Sequence, residues 1–253
     1  MAKMKNCEEN LNEVLDSNID DIGEIKKSIQ GLVRSDIKLI GKNESQKRLI
    51  RSIKSNEITI CAGRPGTGKT FVSLAYALSL LRKNTNKYKT IYLVKSVTTL
   101  KGEELGFLKG DMKDKIEPFM WSFYINMEKI INTTSVQALV NENIVKPFPL
   151  AYMRDASLDN CIIIADEMQN VSIDNAKTLL TRIGTDSKLI LLGDVNQIDM
   201  RRKEDSSLSK LIDMFIDVEN IGAVKMDDND INVRNPLISV IENKFNETFN
   251  DKE

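Results

Sequence analysis

Hydrophobic and polar positions fall along this chain in blocks rather than singly. Four short runs are almost continuously apolar: Ile58 to Ala62, Ile91 to Val94, Cys161 to Ala165 and Leu189 to Leu192. Runs of that length with no polar face predict strands buried on both sides. Segments with helical spacing separate them, among them the nearly all-apolar stretch Phe71 to Leu78 and the stretch Val171 to Gly184. Strand and helix in alternation predict an α/β domain, a mostly parallel sheet with helices on both faces.

Before the first strand, Leu11, Val14, Leu15, Ile19, Ile22, Ile25, Ile29, Leu32 and Val33 recur at helical spacing between charged residues, although Gly23 and Gly31 interrupt them. This predicts an N-terminal helical segment over 1–35, which either packs on the main domain or contacts another subunit. Turns are expected at Ser35-Asp36 and Gly41-Lys42-Asn43, then a short helix around Gln46. The main domain is expected over 36–246 and a polar tail over 247–253. The stretch Pro118 to Tyr124, which holds the only tryptophan, followed by Met127, Ile130 and Ile131, reads as helical core packing; a base-stacking platform is the other reading. Ser172 is placed to cap the helix beginning near Ile173, and Gly184 to give it a left-handed exit. Arg182 at the negative end of that helix is either a dipole partner or a contact to phosphate or a neighbouring subunit.

Composition narrows the chemistry. The 253 residues are 41% hydrophobic, enough for one substantial core, and 36 Lys plus Arg against 37 Asp plus Glu leave a formal charge of −1. A nucleic-acid contact would therefore need a local basic face. The candidates are Lys109, Lys113 and Lys115, and Arg201-Arg202-Lys203; the other reading of both clusters is a solvated surface. Cys7, Cys61 and Cys161 have no metal-binding or redox spacing, no apolar run approaches membrane-spanning length, and Met1 to Glu9 is polar, so a cytoplasmic, non-membrane protein is expected. With no histidine in the chain, Ser-His-Asp and Cys-His catalysis are excluded. Hydrolysis would rest on carboxylates, lysine, arginine and Mg2+.

Gly63-Arg64-Pro65-Gly66-Thr67-Gly68-Lys69-Thr70 is a complete phosphate loop between a predicted strand and a predicted helix. Its backbone N–H groups and the helix N-terminus suit phosphate oxygens, Lys69 suits the β- and γ-phosphates, and the Thr70 hydroxyl suits Mg2+. The third apolar run ends in Asp166-Glu167. Asp166 is expected to hold the metal and Glu167 to orient and polarise the attacking water. The fourth run ends in Gly193-Asp194-Val195-Asn196-Gln197, where the Gln197 amide could bridge the γ-phosphate and that water; the plainer reading is a polar turn.

The order phosphate loop, Asp166-Glu167-Met168-Gln169, then Gly-Asp-x-x-Gln resembles the first RecA-like domain of superfamily 1 helicases. Further stretches resemble the PhoH-like family of P-loop ATPases: Gly102 to Asp111, Lys115 to Pro118, Pro149 to Arg154, Leu180 to Gly184, Gly193 to Asp199 and Val233 to Leu237. The resemblance covers about residues 40 to 242. It implies a RecA-like fold, binding and hydrolysis of ATP with Mg2+, and a helicase-like action on RNA or single-stranded DNA. It also implies that Gln46 reads the adenine edge and that Arg234 corresponds to the family's late arginine. Where the family usually has Arg-Pro after its second strand, this chain has Lys95-Ser96; it has Arg154-Asp155 for Arg-Gly, and Asn235-Pro236 for His-Pro. Helicase motors of that superfamily use two RecA-like domains, and this chain has room for one. A homo-oligomer, most simply a hexameric ring, would let Arg234, or failing it Arg182 or Arg154, reach the ATP of the next subunit. An ATP-dependent switch acting on a protein partner is the alternative. A small-molecule kinase would not account for Glu167, and the absence of Asn-Lys-x-Asp disfavours a guanine-specific switch.

Overall fold

The computed structural model describes residues 35–83, 87–96, 112–150 and 157–226, with Leu32, Leu237, Val240, Ile241, Lys244 and Thr248; over 112–116 it describes the backbone alone. The expected N-terminal segment, apart from Leu32 and Ser35, and the expected tail lie outside the described residues.

The four apolar runs are strands β1 (Ile58–Ala62), β2 (Thr90–Lys95), β4 (Cys161–Asp166) and β5 (Lys188–Gly193). Two edge strands join them, β3 (Val145–Pro147) and β6 (Ile221–Lys225), giving the order β3-β2-β4-β5-β1-β6. Every pairing is parallel, with Ile58 opposite both Leu189 and Ile221, and Lys95 opposite Asp166. One strand, β5, thus separates the strand leading into the phosphate loop from the strand ending in the two acids. This is a RecA-like P-loop arrangement, and it places the carboxyl ends of β1, β2, β4 and β5 along one edge of the sheet, where parallel α/β sheets bind their ligands.

Side chains alternate across the central strands and build two cores. On one face Ile162, Ile164, Ile190 and Leu192 pack with helices α1 (Glu44–Ser55), α2 (Lys69–Lys83), α3 (Met112–Glu128) and α4 (Thr133–Asn141), and Leu32 joins them. On the other, Ile163, Ala165, Leu189 and Leu191 pack with α5 (Ile173–Leu180) and α6 (Leu208–Phe215). Burial on both faces explains why β4 carries no alternation of polar residues.

Two expectations need correction. Ser172 does cap α5, accepting from the Asn175 N–H, but the helix ends at Leu180, and Gly184 does not adopt a positive φ. A Cβ on Gly184 would lie 2.0 Å from Asp159 Oδ1, so glycine is needed there for close approach of two chain segments, not for a helix exit. In α3, Met120, Phe123 and Met127 are core residues as expected, whereas Trp121 is 64% exposed and Ile125 also faces outward. The tryptophan sits on the opposite side of the helix from the buried stripe.

Candidate active site

The phosphate loop is held at its root by strands on both sides. Gly63 N–H donates to the Gly193 carbonyl (3.0 Å), and Met226 N–H to the Ala62 carbonyl (2.8 Å). Gly66 and Gly68 turn the chain at φ 78° and 86°, where a Cβ would be strained. Helix α2 begins at Lys69, so its first N–H groups face the turn. Lys69 Nζ donates to the carbonyls of Gly63 (3.0 Å) and Arg64 (3.4 Å), and Thr67 Oγ1 to the Arg64 carbonyl. The loop is thus folded around its own lysine. Arg64, Pro65, Gly68, Lys69 and Thr70 remain half-buried and reachable.

Gln46 braces this loop from α1. Asn43 caps that helix by accepting from Gln46 N–H (2.8 Å), which fixes the glutamine in its first turn. Its side chain, almost wholly buried, donates to the Thr67 carbonyl (2.8 Å) and accepts from Lys42 N–H (2.9 Å). Beside its expected base-reading role, then, it has a contact with the phosphate loop that the sequence does not suggest.

Opposite stands the acid wall. Asp166 Oδ2 accepts from the Thr70 hydroxyl (2.8 Å) and Oδ1 from Glu167 N–H (3.0 Å), joining the end of β4 to the first turn of α2. A buried carboxylate touching a hydroxyl beside a phosphate loop is an oxygen donor pair of the kind Mg2+ takes when substrate phosphates complete its coordination. Among the described residues no cluster of three or more His, Cys, Asp or Glu could hold a metal alone. The residues therefore fit a nucleotide-borne Mg2+ and not a protein-only cage.

Glu167 is left-handed, at φ 60° and ψ 36°, a conformation uncommon for a non-glycine residue and concentrated at functional sites. Its carboxylate accepts from Gln169 Nε2 (2.7 Å), while Gln169 Oε1 accepts from Asp194 N–H (3.0 Å). Gln169 is fully buried, so both ends of its amide need these partners. Gly193 leaves room for it, since a Cβ there would lie 2.5 Å from Gln169 Oε1. Gln169 links the proposed base to the end of β5, a role that the acid pair alone does not announce. The Asp-Glu-x-Gln spacing carried the signal.

The electrostatics of the strand beneath agree. Burial pushes the Cys61 thiol up to about 12, with the Lys69 ammonium opposing the shift and the Asp166 carboxylate adding to it. A thiol in β1 thus feels both charged walls of the site. Burial likewise raises Cys161, and with Cys61 it behaves as a buried hydrophobe.

The structure therefore brings Gly63 to Thr70, Asp166 and Glu167 together, with Gln46 against the loop. Gln197 lies on the exposed turn after β5, its N–H donating to the Asp194 carbonyl (3.1 Å). Lys95, level with Asp166, donates to Ser122 Oγ on α3 (3.1 Å). Arg201, Arg202 and Lys203 are exposed beyond the Gln197 turn. Arg182 accepts through its carbonyl from Leu158 N–H, at the edge where β4 begins, so it lies across the sheet from its own chain's phosphate loop. Arg234, Arg154, Asp155 and Lys109 lie outside the described residues, as do the side chains of Lys113 and Lys115.

Comparison with known proteins gives a family match over residues 38–246 to the model described as PhoH-like protein. The chain is 34% identical over 200 residues to a PhoH-like protein of Bacillus subtilis, covering 79% of this chain and 61% of that protein. It is 31% identical over 226 residues to one of Synechocystis, covering 89% and 68%. With protein PhoH of Escherichia coli it shares 31% over 190 residues, covering 74% and 52%. Among solved structures, the large terminase of a thermophilic bacteriophage aligns with TM-score 0.45 at 9% identity, covering 81% of this chain and 50% of that one. The Sulfolobus solfataricus SWI2/SNF2 ATPase core in complex with dsDNA aligns with TM-score 0.37 at 12% identity, covering 72% and 44%.

Proposed function

Because this chain belongs to the PhoH-like protein family, we propose that it binds ATP with Mg2+ and hydrolyses it, and that turnover is coupled to RNA or single-stranded DNA. The observation that carries the ATPase reading is the joining of two walls: Thr70 of the phosphate loop bonded to Asp166, with Glu167 next to it and linked through Gln169 to the end of β5. In this reading the loop amides and Lys69 would hold the phosphates, and Thr70 and Asp166 would hold Mg2+, which would supply neutralisation of phosphate charge. Glu167 orients the attacking water and takes its proton, and Gln197 contacts the terminal phosphate. Lys69 must leave the Gly63 and Arg64 carbonyls to reach the nucleotide.

The nucleic-acid part rests on the order of motifs shared with helicases and on the exposed Arg201-Arg202-Lys203 run on the ligand-binding side of the sheet. We place the completing arginine, Arg234, on a neighbouring copy in a ring, most simply a hexamer, in the cytoplasm.

The deciding experiment measures ATP turnover with and without single-stranded RNA, single-stranded DNA and duplex, with Glu167→Gln as the inactive control. Stimulation by one single-stranded polymer, declining between low and moderate salt, is expected. Turnover indifferent to all three would overturn the nucleic-acid part and favour a switch acting on a protein partner. For the ring, Lys69→Ala subunits mixed with Arg234→Ala subunits should regain turnover that neither has alone; no gain on mixing would sink the shared site.

A further inference from the structure

Immediately after Glu167 the chain fastens the loop following β5 at both ends. Gln169 takes the near end through Asp194 N–H. Asn170 takes the far end twice: its Oδ1 accepts from Asp199 N–H (2.8 Å) and its Nδ2 donates to Asp199 Oδ2 (3.3 Å). Gln197 lies between the two fastenings. Asn170 is itself held, its N–H donating to the Glu167 carbonyl (3.0 Å) and its carbonyl accepting from Ser96 Oγ at the end of β2 (3.0 Å). It is nearly buried at 8% exposure, whereas Asp199 is exposed.

We propose that Asn170 is a positioning residue for hydrolysis: its two bonds to Asp199 fix Gln197 relative to Glu167. The proposal rests on the ATPase reading above. Val195, Asn196 and Gln197 are exposed, and a loop held only through Asp194 would let the Gln197 side chain wander; a displacement of about 1 Å in a reacting constellation can cost roughly a hundredfold in rate. The clamp touches neither Lys69 nor Thr70 nor Gln46, and of the residues placed on the nucleotide it bears on Gln197 alone, so its loss should change affinity far less than turnover.

The polarity of the clamp makes it testable. Asn170→Asp sets a carboxylate against the Asp199 carboxylate and breaks the second bond. Asp199→Asn keeps an oxygen for the Asn170 amide. The exchange Asn170→Asp with Asp199→Asn rebuilds both bonds, because the new carboxylate can accept from the N–H and from the side-chain amide of residue 199.

Turnover, KM for ATP, affinity for a fluorescent ATP analogue and thermal melting are measured for wild type, both single variants, the double variant and Asn170→Ala. Asn170→Asp and Asn170→Ala are expected to lose about tenfold or more in kcat with KM and affinity within about twofold. Asp199→Asn should lose much less than Asn170→Asp, and the exchange should recover most of the loss. Wild-type turnover in Asn170→Asp, a double variant no better than that single variant, or kcat falling only in step with melting temperature or affinity would overturn the proposal. Absence of turnover in the wild type would instead overturn the ATPase reading on which it stands.

Discussion

The two walls of the site are built on different principles. The phosphate-loop wall closes on itself: Lys69 and Thr67 bond to carbonyls of their own loop, and Gln46 braces it from the adjoining helix. The acid wall is held by amide side chains reaching between loops distant in sequence, Gln169 to Asp194 and Asn170 to Asp199. On the ATPase reading the first wall serves binding, and its motif is one short contiguous segment. On the same reading the second would set the geometry of chemistry, and it depends on how three strand ends meet. Binding and hydrolysis should then be separable by mutation.

The largest separation is expected at Glu167. Glu167→Gln removes the proposed base and should reduce turnover by about two to four decades, leaving nucleotide affinity near wild type, as read by steady-state kinetics beside equilibrium binding. Lys69→Ala acts on the other wall. Losing a charged donor to phosphate is expected to weaken ATP binding roughly ten- to a hundredfold, seen by titration with a fluorescent analogue. If instead Glu167→Gln weakens binding as much as Lys69→Ala does, the walls are not distinct.

A smaller effect crosses between them. Gly193→Ala would place a Cβ 2.5 Å from Gln169 Oε1 and 2.6 Å from Leu208 Cδ2. Overpacking of this kind costs about 1–3 kcal/mol of stability, and the displaced Gln169 should lower kcat more than it raises KM. Equal changes in both would mean that Gln169 does not act on Glu167.

The smallest effect tests how tightly the binding wall is closed. The Cys61 thiol is raised by burial from an ordinary 9.0 to about 12. An unfolded chain releases that proton first, so the stabilisation is complete below the unfolded value and is lost as pH rises toward the folded one. Between about pH 8 and 10 the loss is roughly 1 kcal/mol, or about 2–4 °C in melting temperature for a chain of this size. Cys61→Ala should flatten that slope; an unchanged slope would mean that β1 is not sealed. Tyr76, Tyr88 and Tyr124, raised by burial in the same sense, continue the decline above their ordinary 10.0.

What can be read from the sequence follows the same division. The four central strands stand out because burial on both faces forces nearly unbroken apolar runs, and the contiguous phosphate loop announces itself with its glycines, Lys69 and Thr70. The edge strands do not: Val145-Lys146-Pro147 is three residues long and ends in a proline without an N–H, and Ile221-Gly222-Ala223 has little β-branched character. Trp121 reads as core from sequence because an aromatic among aliphatics gives no sign of which way it faces. Asp-Glu-x-Gln marks Gln169 as a motif residue, but its partner 25 residues away, like the partner of Asn170 29 residues away, is encoded by no local pattern. Gly184 misleads because its neighbour Asp159 is also remote in sequence.

The strand order has a consequence for how the protein is made. β1 lies between β5 and β6, with Ile58 paired to Leu189 and Ile221. A growing chain therefore displays its complete phosphate-loop motif on the order of ten seconds before it has made either neighbouring strand. Through that interval an apolar strand waits without a sheet, and its first pairing must close a very long loop, which is slow and exposes it to wrong partners. Fragments ending before β5 should carry the motif without the nucleotide site. The nascent protein has most need of a chaperone while Ile58 to Ala62 awaits its partners.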